Sequence, residues 1–141
     1  MVASALVTAE VTGSAIDIGL VVRDIDRMLA FYRDHLGLPE VRLVDTGTMK
    51  IHFLQVGDAR LKLVEHATAP DAANPGGGSS GASGLRYLTL QVASVDAALE
   101  GIEATGAHVV MPGFEFEGSH VALVDDPEGN SLELIRRAAS T

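Results

Sequence analysis

The chain repeats itself, and that repeat narrows what it can fold into more than any other feature. Asp17-Ile18-Gly19-Leu20-Val21-Val22 aligns with Tyr87-Leu88-Thr89-Leu90-Gln91-Val92 at an offset of 70. The register runs on through Ile25 over Val95, Asp26 over Asp96 and Leu29 over Leu99. At the far end, Leu61-Lys62-Leu63-Val64 aligns with Leu132-Glu133-Leu134-Ile135 at an offset of 71. Shared beginnings and ends at a near-constant spacing mark residues 16–66 and 85–136 as one unit used twice. At 141 residues the whole chain has the size of one compact domain, or of two half-size modules sharing a core.

The same order of elements can be read in both copies. Residues 15–22 and 85–92 are short and rich in Leu and β-branched residues, as strands are. Ile16, Ile18, Leu20 and Val22 make one apolar face, and Leu88, Leu90 and Val92 make its counterpart. Because strand side chains alternate, Asp17 and Tyr87 point the other way. Asp24 and Ser94 are suited to cap the helices that follow. The first helix presents Ile25, Met28, Leu29, Tyr32 and Leu36 to a core, and the second Val95, Ala98, Leu99 and Ile102. Three strands then follow each helix, near 40–44, 49–55 and 60–66, and near 107–111, 119–124 and 131–136. Tyr32 and Met111 are expected in the core. Val56-Gly57-Asp58 and Asp126-Pro127-Glu128-Gly129-Asn130 are the turns of the last hairpins. The fold class is therefore α+β, two βαβββ modules in tandem: 15–66, a Gly/Ser/Ala/Pro-rich linker over 67–84, and 85–137. The run Asn74–Gly84 has the composition of a flexible tether, and its roughly 10 residues reach roughly 30 Å when extended.

Composition excludes several functions. Ten basic residues against nineteen acidic ones leave a net charge of -9, which repels nucleic acid and suits, if anything, a cationic ligand. There is no cysteine, hence no disulfide, thiolate metal site or cysteine nucleophile. Met1–Ala15 lacks a basic start and an apolar run, so no signal peptide is expected there. No segment approaches the roughly 18 apolar residues of a membrane span. These readings lead to the expectation of a soluble cytoplasmic protein.

Ile18-Gly19-Leu20-Val21-Val22-Arg23-Asp24, then Ala30-Phe31-Tyr32-Arg33-Asp34-His35-Leu36-Gly37-Leu38, resembles the opening of a vicinal-oxygen-chelate module. Ala122-Leu123-Val124-Asp125-Asp126-Pro127-Glu128-Gly129-Asn130-Ser131-Leu132-Glu133-Leu134 resembles its close. The superfamily includes glyoxalase I, bleomycin-resistance proteins and extradiol dioxygenases. The resemblance implies curled mixed sheets around a cleft, with one metal ligand from the first and one from the last strand of each module, usually His and Glu. Those positions here are Asp17, Lys62, Tyr87 and Glu133, of which only Glu133 is the usual type. A charged lysine has three donors and no lone pair, so it cannot bind a metal. We therefore expect no cofactor. Asp17 and Glu133 are the ligands left to a divalent metal if one is retained.

The quartet also stands out without the family, as the polar members of otherwise apolar strands. Two carboxylates facing each other in a dry cleft would repel, and a lysine between them relieves that repulsion. The leading expectation is that the Lys62 ammonium takes the metal's place, held by Asp17 and Glu133 with Tyr87 near. The competing one is a buried ion cluster with no further role. His35, His66 and His108 read as structural or solvent-facing. Hairpin mapping puts His52 and His120 on equivalent faces, as candidate pocket residues. Phe114-Glu115-Phe116-Glu117 alternates and would form a lip, with Phe114 and Phe116 as apolar ligand contacts.

Three functions fit this sequence. The first is an enzyme, an isomerase, epimerase or lyase, acting on a small oxygenated organic molecule through an enolate-like state. The second is a binding protein of the bleomycin-resistance type that sequesters a drug without chemistry. The third is a metal-dependent glyoxalase-type lyase or dioxygenase. Open sheet edges make a homodimer the expected association state, with modules paired within or exchanged between chains.

Overall fold

Strand pairing follows the repeat. The computed structural model describes residues 9–139, so part of the Met1–Ala15 stretch lies outside the described residues. The first copy supplies β1 (Ile18–Val22), β2 (Glu40–Asp45), β3 (Met49–Val56) and β4 (Ala59–His66). The second supplies β5 (Tyr87–Gln91), β6 (His108–Phe116), β7 (Ser119–Asp125) and β8 (Ser131–Arg136). Each set forms a four-stranded sheet, ordered β1-β4-β3-β2 and β5-β8-β7-β6. In each, the first strand runs parallel to the last and the remaining pairs are antiparallel. The two sheets do not close, and they place their edge strands β1 and β5 side by side across a shallow groove lined by Ile18, Leu20, Leu85 and Leu88.

Helices cover one face of each sheet. α1 (Ile25–Leu29) begins at Asp24, whose carboxylate accepts the Arg27 N–H at 3.2 Å. α2 (Val95–Leu99) begins at Ser94, whose hydroxyl accepts the Ala97 N–H at 3.1 Å. Both caps satisfy donors that a helix start leaves free. α1 widens into a π-helical turn, Ala30–His35, where the Leu36 N–H donates to the Phe31 carbonyl at 2.9 Å. After α2 the chain passes Gly101, at φ 70, into a 3₁₀ turn, Ile102–Thr105.

A single core spans both copies. Met28, Phe31 and Tyr32 from the first helix meet Leu54, Leu61 and Leu63 of one sheet and Leu132, Leu134 and Val124 of the other. The turn Asp126–Asn130 fastens the copies together at their polar rim. The Tyr32 hydroxyl donates to Asp126 Oδ2 at 2.6 Å, and the Glu128 carboxylate accepts the Arg23 and Asp24 N–H groups at 2.8 to 2.9 Å. Burial raises the Asp126 carboxyl above the ordinary value, opposed by its hydrogen bonds from Tyr32 and Asn130. Burial, then the nearby Asp126 charge, holds the Tyr32 phenol well above 10.0. His35 is structural as well, its Nε2 lying 2.8 Å from the Ala98 carbonyl oxygen.

Three local expectations are corrected. Ile16 is not packed under the helix; it precedes the first strand and is exposed. Met111 is not core. β6 runs on to Phe116 with register shifts between Val109 and Met111 and again between Met111 and Phe114. Pro112 has no N–H to give the ladder, so the strand bulges there and Met111 is left half-exposed opposite Leu123. The Gly/Ser linker, composed like a free tether, is seated on the second module. Arg86 donates to the carbonyls of Gly76 and Gly78, Asn74 donates to the Asn130 side chain, and Gly78–Ser80 forms one 3₁₀ turn.

Candidate functional site

Alternation along the strands decides what each sheet offers on the side away from the helices. In the first module β4 buries Leu61 and Leu63 under α1, so Arg60, Lys62 and Val64 take the open face. Cross-strand register then puts Phe53 opposite Lys62, Ile51 opposite Val64, and Arg42 opposite Phe53. In the second module Leu132 and Leu134 are buried, and Ser131, Glu133 and Ile135 face the other way. Leu123 lies opposite Glu133, and Thr89 is its neighbour on β5. The two copies are equivalent in this respect: Gly19 pairs with Lys62 as Thr89 pairs with Glu133.

The four positions singled out from the sequence thus fall on open faces, in two pairs. Asp17, one residue before β1, accepts the Arg60 N–H at 2.9 Å through Oδ1, and its Oδ2 lies 3.8 Å from Lys62 Nζ. Lys62 also sits 5.4 Å from the centroid of the Phe53 ring. On the other sheet Glu133 accepts from the Thr89 hydroxyl at 3.2 Å. Glu133 and Tyr87 line a groove of about 450 Å³ with Val110, Leu123 and Asp125, and the seated linker (Gly77–Ser80) forms its wall. Among the described residues no ion pair joins Lys62 to Glu133 within one chain. Asp17 and Lys62 thus sit on the first module's sheet and Tyr87 and Glu133 on the second's, as the repeat places them.

His52 and His120 do lie on equivalent faces, but not with the quartet. His52 pairs with Leu63 and its Nδ1 lies 2.8 Å from Glu40, while His120 pairs with Arg136 and its ring lies over Gly113. Both have helix-side parity, opposite to the faces that carry Lys62 and Glu133. Phe114 and Phe116 pair with Val121 and Ser119 on the open-face register, Phe114 half-buried and Phe116 exposed.

Sequence reasoning missed Phe53, Arg42 and Arg60. The three cations crowd one ring, with Arg42 Cζ at 5.5 Å and Arg60 Cζ at 5.7 Å from the Phe53 centroid. Such contacts contribute about 0.5–1 kcal/mol each where exposed. The signal was present in the alternation of β3, which puts Phe53 opposite Lys62, but no motif draws attention to it.

The donor set does not suit a divalent metal. One of the four equivalent positions is an ammonium without a lone pair and one is a phenol. Among the described residues no three His, Cys, Asp or Glu side chains come together as a possible metal site. No helix among the described residues is long and apolar enough to cross a membrane.

The family model described as Glyoxalase/Bleomycin resistance protein/Dioxygenase superfamily matches residues 15–134. No curated protein sequence matches the chain. Among solved structures, the protein SMU.1112c is similar at 26% identity and a TM-score of 0.71, over 88% of this chain and 98% of that one. A glyoxalase family protein from Bacillus cereus superposes at a TM-score of 0.78 with 18% identity, over 94% and 100% of the two chains. A glyoxylase/bleomycin resistance protein/dioxygenase domain from Frankia sp. gives 0.66 with 21% identity, over 91% and 98%. At 18% and 21% identity the last two establish the shape alone.

Proposed function

The chain belongs to the glyoxalase/bleomycin resistance protein/dioxygenase superfamily, and from that premise we propose that it handles a small oxygenated organic molecule by enolate-type chemistry, with Lys62 in place of the metal. The observation that carries the reading is the Lys62 ammonium on an open face, 3.8 Å from Asp17, at a position where the resemblance implies a metal ligand. A fixed cation beside a carbonyl oxygen stabilises the negative charge that forms when a neighbouring C–H loses its proton. Asp17 is held by the Arg60 N–H and by Lys62, which makes it a positioning group. Glu133 has a single 3.2 Å hydrogen bond and lines the groove, which leaves it the better base. The proton passes from the carbon to Glu133, the electron pair moves to the oxygen facing Lys62, and reprotonation of the carbon gives the isomer.

Lys62 and Glu133 belong to different sheets, so the reading includes a homodimer in which the open face of one first module covers the open face of its partner's second module. Exposed Val21, Tyr87, Val110, Met111 and Phe116 support such a cover, as does a basic face opposite an acid-lined one.

The test is proton exchange. A panel of small carbonyl compounds in D₂O is followed by NMR with wild type and Lys62→Met. Exchange of the proton next to a carbonyl, lost in the variant, supports the proposal. No exchange with any compound, together with near-equimolar Ni, Zn, Fe, Mn or Co in protein purified without chelator, would overturn it. The groove beside Tyr87 favours one second reading, sequestration without chemistry, in which the ligand is recovered unchanged from a stoichiometric complex.

A further inference from the structure

Lys62 carries the proposed chemistry, but Arg42 and Arg60, which share the Phe53 ring with it, take no part in that chemistry. All three cations lie within 5.7 Å of one ring centroid, on the open face of a chain whose net charge is -9. Only one carboxylate answers them. Asp17 reaches Lys62 at 3.8 Å, and strand register gives no other open-face position on β1 to β4 to an acid. Neither guanidinium makes a side-chain hydrogen bond or ion pair among the described residues. Three like charges grouped around one ring repel one another, and nothing in the chain's overall balance calls for them here. The arrangement makes physical sense as half of a site whose other half is an anion.

We propose that this face binds the oxyanion group of a small organic acid, a carboxylate or phosphonate, between the Arg42 and Arg60 guanidiniums. The planar guanidinium fork matches two oxygens of such a group in a way a lone ammonium does not. The Phe53 ring gives the cations a floor, and the neighbouring Ile51–Val64 pair, both half-buried, offers apolar contact to the ligand's body. Lys62 then lies beside the ligand's carbonyl. The inference rests on the open-face reading above and adds to it the class of substrate: an anion, contrary to what the acidic composition suggests.

Pyruvate and methylphosphonate serve as probes, with methyl pyruvate as the neutral control. Titration calorimetry of the full chain is expected to give saturable binding of both anions, at least tenfold weaker for the ester. Arg42→Gln/Arg60→Gln is expected to weaken anion binding at least tenfold while circular dichroism shows the fold intact. Arg42→Lys/Arg60→Lys, which keeps the charge but not the fork, is expected to fall between. Raising salt should weaken the wild type and have little effect on the glutamine variant. Equal binding of ester and anion, or full binding by the glutamine variant, overturns the inference. Proton exchange measured on the same wild-type samples separates the two claims. Anion binding without exchange sinks the enolate chemistry alone, and exchange on neutral carbonyl compounds without anion binding sinks this inference alone.

Discussion

Lys62 shows how much one side chain changes in a shared fold. Flanked by buried Leu61 and Leu63, it is fixed on the open face by strand alternation whatever its chemistry. In the proposed chemistry its ammonium supplies the positive charge without any need for a ligand cage. If the proposed chemistry holds, Lys62→Met and Glu133→Gln should each lower the exchange rate by about 10²–10⁴-fold, the range for a positioned acid–base group. Both residues are only partly buried, and Lys62 gives up one ring contact, so thermal unfolding should move by no more than about 1 kcal/mol. A rate loss accompanied by a large fall in melting temperature would assign them to packing instead.

At the scale of elements, the linker departs most from its composition. Arg86 holds the carbonyls of Gly76 and Gly78, and the turn it fixes walls the groove beside Glu133 and Tyr87. Gly77 is required there: its φ is 79, and an added Cβ would come within 2.9 Å of the Gly81 backbone. Arg86→Ala should therefore raise amide hydrogen exchange across residues 76–81 at least tenfold while leaving β5 to β8 protected. Unchanged exchange in that segment would show that the turn holds itself. β6 makes the complementary point, since Pro112 could be read as a break but the bulge around it, which carries Met111 out of the core, is a matter of pairing.

The whole molecule is fastened by few polar contacts across a common core. Asp126 accepts from Tyr32 and Asn130 side chains and from two N–H groups, at 2.6 to 3.0 Å. Tyr32→Phe leaves that buried carboxylate short of a donor and should cost about 1–3 kcal/mol. Its pH dependence has a definite sign. Because the folded phenol is held well above 10.0, the stability it brings is complete below 10.0 and lost as the pH rises past that value. Asp126 is raised too, so its own contribution is complete below 3.8, is lost as the pH rises through its raised folded value, and does not vary in the alkaline range. Urea unfolding at neutral pH and at a unit above 10.0 should show wild type losing more stability than Tyr32→Phe; parallel losses would refute the assignment. The proposed homodimer belongs to this scale as well. Sedimentation should give twice the chain mass, reduced to one by Phe116→Asp on the exposed open face, and a monomeric wild type at micromolar concentration would remove the proposed meeting of Lys62 and Glu133.

Periodicity and duplication carried the sequence reading to the order of the elements, the α+β class, the helix caps and the polar members of β1, β4, β5 and β8. Those features depend on alternation and on neighbours a few residues apart, which a single chain displays directly. How the open faces of the two modules meet is a long-range matter, and the repeat alone does not decide whether Asp17 and Lys62 reach Tyr87 and Glu133. Register across β3 and β4 likewise turned His52 toward the helix side and brought Phe53 under three cations that are distant in the chain. A side chain's face is written in local pattern; its neighbours across a sheet are set only when the hydrogen-bonded pairs have formed.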